Sequence, residues 1–491
     1  MEKSKYWLLG IILAVLALRL FLAFSQPNFT YDSYFNLRQV EHITTTGLPS
    51  YQDALSSGGR TLIFLPFFHY FASFFDLFLP LEIVGKLLPS IFLIGLMIIV
   101  YYLAKKIGGK ETGALLAALI TGLLPTLFET NAFRVESLTL PLFFLAVYAF
   151  LRSSEKKFLY LFLLSFLLLS LTTTLVFLLL AGIGLYFLLS FLENKKVEST
   201  EKEVFIFSLF FYLWLQFLFF KEIFLQQGIA FLWQNIPPQI ILQYFPQITL
   251  TEIFLSLSIF PALAGIFIIY RTLFVTKNRE HFFMLSLFLI IIIFAFIKLL
   301  ELKLALSFLG IILALFFALF YEHTAAYIYQ TRLKSLKKIF IPLLLLILLF
   351  SLLPPALNTA WQQSLPTKEE VDAFRWLAEN TPANSGALSL LEEGHLLTYY
   401  GQRRNLMDTN FALIPQVEQR FNDLNILYLT SFETQALSLL NKYHLQYLIF
   451  TPRAQEKYLI SNFNYLNKKC FEQVYYNNVK IYQVKCQLQA Q

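Results

Sequence analysis

Runs of about twenty apolar residues recur along this chain, and each is long enough to cross the hydrocarbon of a bilayer as a helix. Such runs fall near 6–25, 83–103, 113–128, 137–151, 158–171, 172–191, 204–220, 253–270, 282–299, 302–320 and 338–355. The 491 residues are 57% hydrophobic and 14% charged, with 55 phenylalanines. A water-facing fold of this length has nowhere to hide that much apolar surface. The expected fold is a mostly α-helical polytopic membrane protein of about 11 to 13 transmembrane helices. Only Leu171 to Thr174 divides the run 158–191. The first run follows Lys3 and Lys5 but has no small-x-small cleavage pattern, so it reads as a retained helix rather than a signal peptide.

Basic residues set the expected orientation. Lys3/Lys5, Lys105/Lys106/Lys110, Arg152/Lys156/Lys157, Lys195/Lys196/Lys202, Arg271/Lys277/Arg279 and Arg332/Lys334/Lys337/Lys338 fall in alternate loops, which are assigned to the cytoplasm. The opposite loops carry Asp32, Glu41, Asp53, Glu129, Glu136 and Glu252. The N-terminus is then cytoplasmic and the tail external. Residues 61–80 are apolar enough to span, but a span there would invert the Lys105–Lys110 loop, so they are expected to lie at the outer interface. The cytoplasmic loops account for the net charge of +7, and no basic domain offers a nucleic-acid surface.

Composition changes near residue 356, dividing a transmembrane part, 1–355, with external loops 26–82 and 221–252, from a C-terminal external α/β domain, 356–491. In the latter, VDAFRWLAENTP reads as a helix stopped by Pro382. QYLIF, FEQVYY and VKIYQV read as strands, the last two turning at Asn477 and Asn478. Cys470 and Cys486 flank that hairpin; a disulfide and two free thiols are both open readings.

Three acids sit in the external loops. Asp32 follows the first span, Glu136 opens the fourth and Glu252 begins the eighth. Carboxylates from separate loops meeting at one face would make a hard oxygen site for Mg²⁺ or Mn²⁺, which could neutralise a lipid-linked phosphate as a leaving group. The alternative is that each acid caps its own helix at the N-terminal end. Residues 31–69 stay polar and aromatic for an unusually long stretch, and 221–251 is unusually long for a structureless loop, where Trp233, Pro237, Pro238 and Gln243 could form a gate over substrate. Thr172 to Thr174 read as hydroxyls satisfying neighbouring backbone.

YDSYFNLRQVEHI followed by SYQDALSSGGRTLIFLPFFHYF resembles the first external loop of oligosaccharyltransferase catalytic subunits and their archaeal relatives, of the C-type glycosyltransferase superfamily. The resemblance implies that fold, with a C-terminal external domain, in an archaeal-type prokaryotic cell membrane. It gives Asp32 the place of the metal-binding and catalytic aspartate. Thr249-Leu250-Thr251-Glu252 is similar to the family's Thr-Ile-x-Glu motif, placing Glu252 at its acid. Lys303 corresponds to the family's basic residue at the lipid phosphate, or is an interfacial lysine reaching for water. The chain departs from the family at two places. An acidic pair is replaced by Arg134-Val135-Glu136, leaving Glu136 as the third ligand and Arg134 free to meet a phosphate. The acceptor-reading Trp-Trp-Asp-Tyr-Gly is replaced by Leu390-Leu391-Glu392-Glu393-Gly394, which lacks the aromatic pair.

The expected activity is therefore inverting transfer of an oligosaccharide from a polyprenyl or dolichyl phosphate or pyrophosphate to asparagine of acceptor proteins. Asp32 and Glu252 would be catalytic, with Asp32, Glu136 and Glu252 on Mn²⁺ or Mg²⁺. Lys303, Arg134 and Arg60 would face the donor phosphate, and Glu392, Glu393 and Gly394 the acceptor peptide. The rivals are a related enzyme using a monophosphate-linked single sugar with a lipid or hydroxyl acceptor, a non-catalytic assembly subunit of that fold, and a transporter.

Overall fold

The computed structural model describes residues 2–228, 236–241, 249–276, 278–330 and 337–486. Each of the apolar runs coincides with a helix. In chain order these begin α1 (Glu2–Ser25), α4 (Leu81–Lys106), α5 (Glu111–Gly122), α6 (Glu136–Phe150), α7 (Lys156–Thr172), α8 (Val176–Leu192) and α9 (Ser199–Gln227). Helices Leu250–Leu257, Ile259–Arg271, Arg279–Phe296, Leu302–Gln330 and Lys337–Trp361 follow. Six of the described helices are long and apolar enough to cross a membrane alone, and a pair bent by 95° between Leu257 and Ile259 makes a seventh. The chain is an integral membrane protein.

The difference from the expected span count lies in the short helices. At 1.5 Å per residue α5 and α6 reach only about 18 and 22 Å. The irregular backbone between them, 123–135, is largely buried. Such backbone is tolerated at membrane depth only where protein surrounds it or it lines a cavity. The division of 158–191 falls at Thr173, whose extended backbone (φ −150°, ψ 153°) separates α7 from α8.

Residues 31–69 are more than a loop. They form α2 (Ser33–Thr46), a hairpin of β1 (Gln52–Asp53) and β2 (Arg60–Thr61), and the start of α3 (Phe67–Asp76). Ten residues of α3 are too few to cross, and the helix buries Phe68, His69, Ala72 and Ser73. Arg38 holds Asp53 through two hydrogen bonds of 2.8 and 2.6 Å, which fixes the hairpin on α2.

After Lys337–Trp361 the chain forms a five-stranded sheet in the order β4 (Arg404–Asn405), β3 (Gly386–Leu388), β5 (Leu445–Phe450), β7 (Val479–Val484), β6 (Phe471–Asn477). β4, β3 and β5 run parallel, while β5, β7 and β6 are antiparallel. The helix Lys368–Asn380 starts at a capping box between Thr367 and Glu370. Asn478 turns the last hairpin with φ 57°, a left-handed conformation that asparagine tolerates. Cys470 and Cys486 are joined as a disulfide across its base.

This sheet region is bolted to the first loop. Asn405 N donates to Leu55 O at 2.9 Å, Arg420 Nη1 to Ser57 O at 2.9 Å and the Tyr31 hydroxyl to Glu370 Oε2 at 2.9 Å. Ile236 and Ile240 pack into the sheet region's own core, so part of the 221–252 segment also docks there. Trp233 and Gln243 lie outside the described residues, as do Lys277, Arg332 and Lys334. At the opposite end of the bundle the basic loops meet one another's acids: Lys106 contacts Glu280 at 3.5 Å and Arg279 contacts Glu198 at 2.5 Å.

Candidate active site

Asp32 occupies the N-cap position of α2 but makes no capping bond to it. Its carboxylate turns outward. Oδ2 accepts from Arg134 Nη2 at 3.2 Å and Oδ1 from the Thr409 hydroxyl at 3.0 Å. The helix-cap alternative therefore does not hold at this residue. Arg134 comes from the irregular backbone before α6, and its Nη1 reaches Glu129 Oε2 at 3.4 Å. Lys303, one residue into Leu302–Gln330, closes the chain of charges on Glu129 Oε1. Burial works against the Arg134 charge, but Glu129, Asp32, Glu136 and Glu301 more than offset it and hold its pKa above the ordinary arginine value.

These groups form one wall of a cavity of about 640 Å³. Towards the sheet region it is lined by Phe35, Phe64, His395 and Thr409; towards the bundle by Leu93, Leu96, Leu140 and Leu304. The Asp32 side chain keeps 48% of its exposure and faces this space. Arg134 Nε is buried without a hydrogen-bond partner. The side chain as a whole keeps 29% of its exposure where it lines the cavity, and a planar guanidinium there matches a phosphate or carboxylate. Thr172, Thr173 and Thr174 also line the cavity; Thr172 back-bonds to Leu168 O at 2.7 Å, and Thr173 Oγ1 accepts from Leu175 N at 3.2 Å.

The other expected residues are placed as follows. Glu136 lines the cavity and accepts no hydrogen bond among the described residues. Glu252 does not line it: the residue is exposed and forms a reciprocal capping box with Thr249, at 2.9 and 3.2 Å. Its helix packs on the turn Pro125–Leu127, beside the cavity. Arg60 does not line the cavity either, although it is bonded to residues that do. It is buried against Asp408 at 2.7 Å and donates to Asn410 O and Ala412 O. Glu392 pairs with Lys457 at 2.8 Å. Glu393 is fully buried, accepting from Thr451 Oγ1 at 2.6 Å and from Leu390 N at 3.1 Å. A Cβ at Gly394 would stand 2.4 Å from Met407 O, so only glycine fits. None of residues 392–394 lines the cavity, whereas their neighbour His395 does.

The structure thus joins Asp32, Glu136, Arg134 and Lys303 in one cavity and adds Glu129, Thr409 and His395, which sequence reasoning did not single out. Glu129 carried a signal, an acid in the same loop as Arg134. Thr409 carried none, since only the tertiary fold brings it to Asp32. Among the described residues no three His, Cys, Asp or Glu side chains gather into a metal cage. Four carboxylates (Asp32, Glu129, Glu136, Glu301) nonetheless line the cavity with three cations (Arg19, Arg134, Lys303), an excess of one negative charge. Asp32 and Glu136 are the carboxylates of that lining whose chemistry suits a hard divalent cation.

No protein-family model matches the chain, and a comparison with curated proteins finds no match. Solved structures do match. The oligosaccharyltransferase of Archaeoglobus fulgidus in its apo form superposes with a TM-score of 0.71 at 16% identity, covering 92% of this chain and 71% of that one. ArnT from Cupriavidus metallidurans bound to undecaprenyl phosphate superposes with a TM-score of 0.55 at 12% identity, covering 97% of both chains. The fold is that of the C-type glycosyltransferases. The A. fulgidus enzyme, AglB, has also been solved with an inhibitory peptide and a dolichol-phosphate (TM-score 0.68, 16% identity, 91% of this chain and 69% of that one), and with Zn and sulfate. Within the C-type glycosyltransferase fold, the cavity of this chain lies between the helical bundle and the sheet region.

Proposed function

We propose that the protein transfers a glycan from a polyprenyl or dolichyl-type phosphate or pyrophosphate to the side-chain amide of asparagine in acceptor proteins. In this reading the N-terminus is cytoplasmic, and residues 356–491 form an external domain on a transmembrane part, 1–355. The observation that carries it is the partly exposed Arg134 side chain lining the same cavity as the half-exposed Asp32. One group awaits an anion and the other offers a carboxylate, as displacement of a phosphate-linked sugar requires. The complexes of AglB with dolichol-phosphate and of ArnT with undecaprenyl phosphate support a lipid-linked donor.

The acceptor nitrogen attacks the sugar's anomeric carbon in line, forming a C–N bond. The C–O bond to phosphate breaks and its electron pair leaves with the phosphate, where Arg134 and Lys303 offset the charge. Asp32, oriented by Thr409 and Arg134, accepts the amide hydrogens of the acceptor and takes the proton that the nitrogen loses. Asp32 and Glu136 would hold a Mn²⁺ or Mg²⁺ ion, which would supply further neutralisation of the phosphate. Glu252 enters the proposal through its sequence motif alone. It joins the site only if the helix Leu250–Leu257 shifts towards the cavity.

A second reading has its own observation. Leu390 and Leu391, where the family has tryptophans, are buried in the sheet-region core, so the acceptor-reading aromatic pair is absent. A related enzyme moving a single sugar from a monophosphate lipid to another acceptor would need no such pair. Purified protein given Mn²⁺, a lipid-linked oligosaccharide and an Asn-x-Thr peptide separates the two: a glycopeptide is expected. Turnover of a single-sugar phosphate lipid without any glycopeptide would reject the first reading in favour of the second.

A further inference from the structure

The two cations that the proposed reaction turns on the leaving phosphate are already held by another anion. Glu129 Oε2 accepts from Arg134 Nη1 at 3.4 Å, and its Oε1 accepts from Lys303 Nζ. One carboxylate thus bridges an arginine from the backbone before α6 and a lysine in the first turn of Leu302–Gln330. All three residues line the cavity. Asp32 takes the other arm of Arg134, at 3.2 Å.

The backbone that carries Glu129 is pinned. Phe128 is fully buried. The Asn131 side chain donates to Ala23 O at 3.1 Å and Asn28 O at 3.0 Å, around the end of α1. Asn131 N donates to Gln363 Oε1 at 3.0 Å, just past the helix Lys337–Trp361. The Glu129 carboxylate therefore leaves its cations by a change of rotamer, not of backbone. Lys303 keeps 47% of its side-chain exposure, Arg134 29% and Glu129 17%. Ion pairs open to solvent contribute little stability, so these contacts can be given up to a stronger anion.

Left bare, an arginine and a lysine at the edge of a bilayer would collect anionic phosphodiester headgroups. Leu93, Leu96, Leu140 and Leu304 make the bundle side of the cavity apolar, so nothing there rejects a lipid chain. Discrimination among anions of similar chemistry needs an element that opposes the wrong ones. An internal carboxylate is such an element, because an incoming anion must displace it from both cations. A phosphodiester with one charge gains nothing by the exchange. A terminal phosphate, with about two charges and three acceptor oxygens, does gain. The leaving phosphate acquires that extra charge only as its bond to the sugar breaks.

We infer that Glu129 is a resident counter-anion that sets which phosphates the site accepts. It holds Arg134 and Lys303 against phosphodiester headgroups and yields them to the terminal phosphate of the leaving group. The inference rests on the donor reading above and adds to it a selectivity residue that touches no reacting atom.

The full chain in nanodiscs is titrated with undecaprenyl phosphate, first in phosphatidylcholine, whose choline neutralises its own phosphodiester, and then with phosphatidylglycerol added. Wild type should bind with the same affinity in both. Glu129→Gln frees the two cations at nearly constant side-chain size. It should bind about tenfold or more tighter in phosphatidylcholine, the worth of one charge-assisted hydrogen bond, and lose that gain when phosphatidylglycerol is added. Glu129→Asp keeps the charge and should restore the indifference to phosphatidylglycerol. A tenfold weakening of wild-type binding by phosphatidylglycerol overturns the inference without any variant. Binding by Glu129→Gln no tighter than wild type makes Glu129 a structural support of Arg134 and overturns it as well. Both of those outcomes leave the donor reading standing. Absence of any undecaprenyl phosphate binding by wild type would remove the donor reading, and this inference with it.

Discussion

The Thr409 hydroxyl donates to Oδ1 of Asp32 at 3.0 Å, joining positions 377 residues apart in sequence. Arg134 takes the other oxygen, so Asp32 is oriented from the sheet region on one side and from the bundle on the other. Asp32→Ala should abolish transfer with expression unchanged. Thr409→Val should lower kcat by about tenfold with KM nearly constant, since it loosens the carboxylate without removing a donor contact. Full activity in both variants would move the chemistry elsewhere.

The charge excess at the cavity wall makes the cation requirement testable. EDTA should stop glycopeptide formation, and Mn²⁺ or Mg²⁺ should restore it. Glu136→Gln should raise the Mn²⁺ concentration needed for half-maximal rate. Undiminished transfer in EDTA would take the cation out of the proposal.

Arg60 and Asp408 form an ion pair whose side chains keep only 2% and 0% exposure. Burial opposes the Asp408 charge, yet Arg60 and His395 outweigh it and lower the pKa to about 2. Removing one partner strands the other charge, so Arg60→Ala or Asp408→Ala should each cost about 3–5 kcal/mol in denaturant unfolding of the sheet region. The apolar double variant Arg60→Met/Asp408→Leu should recover most of that loss. A single variant as stable as wild type would contradict the buried pair.

Burial, aided by the neighbouring charge of Glu370, raises the Glu393 carboxyl from 4.5 to about 8. The folded protein then holds a proton that the unfolded chain releases near 4.5. The contribution of Glu393 is complete below that pH and is lost as pH rises through 8. The slope is about 1.4 kcal/mol per pH unit across that window. Thermal unfolding followed from pH 5 to 8.5 should show a falling midpoint, and Glu393→Gln should flatten it. An unchanged slope in that variant would assign the dependence to another group.

Much of the architecture was legible because its signals are local. Apolar length marked the helices, the Thr367/Glu370 box opened Lys368–Asn380, and the Asn477-Asn478 pair placed the last hairpin. Asp32 was legible from its place just after the first helix. Arg60 and Glu393 read in sequence as loop charges open to substrate, yet both are buried with partners contributed from far along the chain, Asp408 and Thr451. Glu252 read as a ligand or a cap, and its own Thr249 completes the capping box. The length of a span was the weakest local signal, because α5 and α6 hand over to backbone that only a protein-lined cavity can tolerate.

By itself the sequence determined that this chain enters a membrane, where its helices lie, and that acids gather in alternate loops. Those properties follow from hydropathy and charge read over a few residues at a time. Which charges meet was decided by the tertiary structure alone. Arg134 stands between Asp32 and Glu129, Lys303 closes on Glu129, and among the described residues Arg19 has no counter-charge. Ion pairing is a through-space interaction at a few ångströms, and residues from four separate segments reach that range only when the helices pack around one cavity.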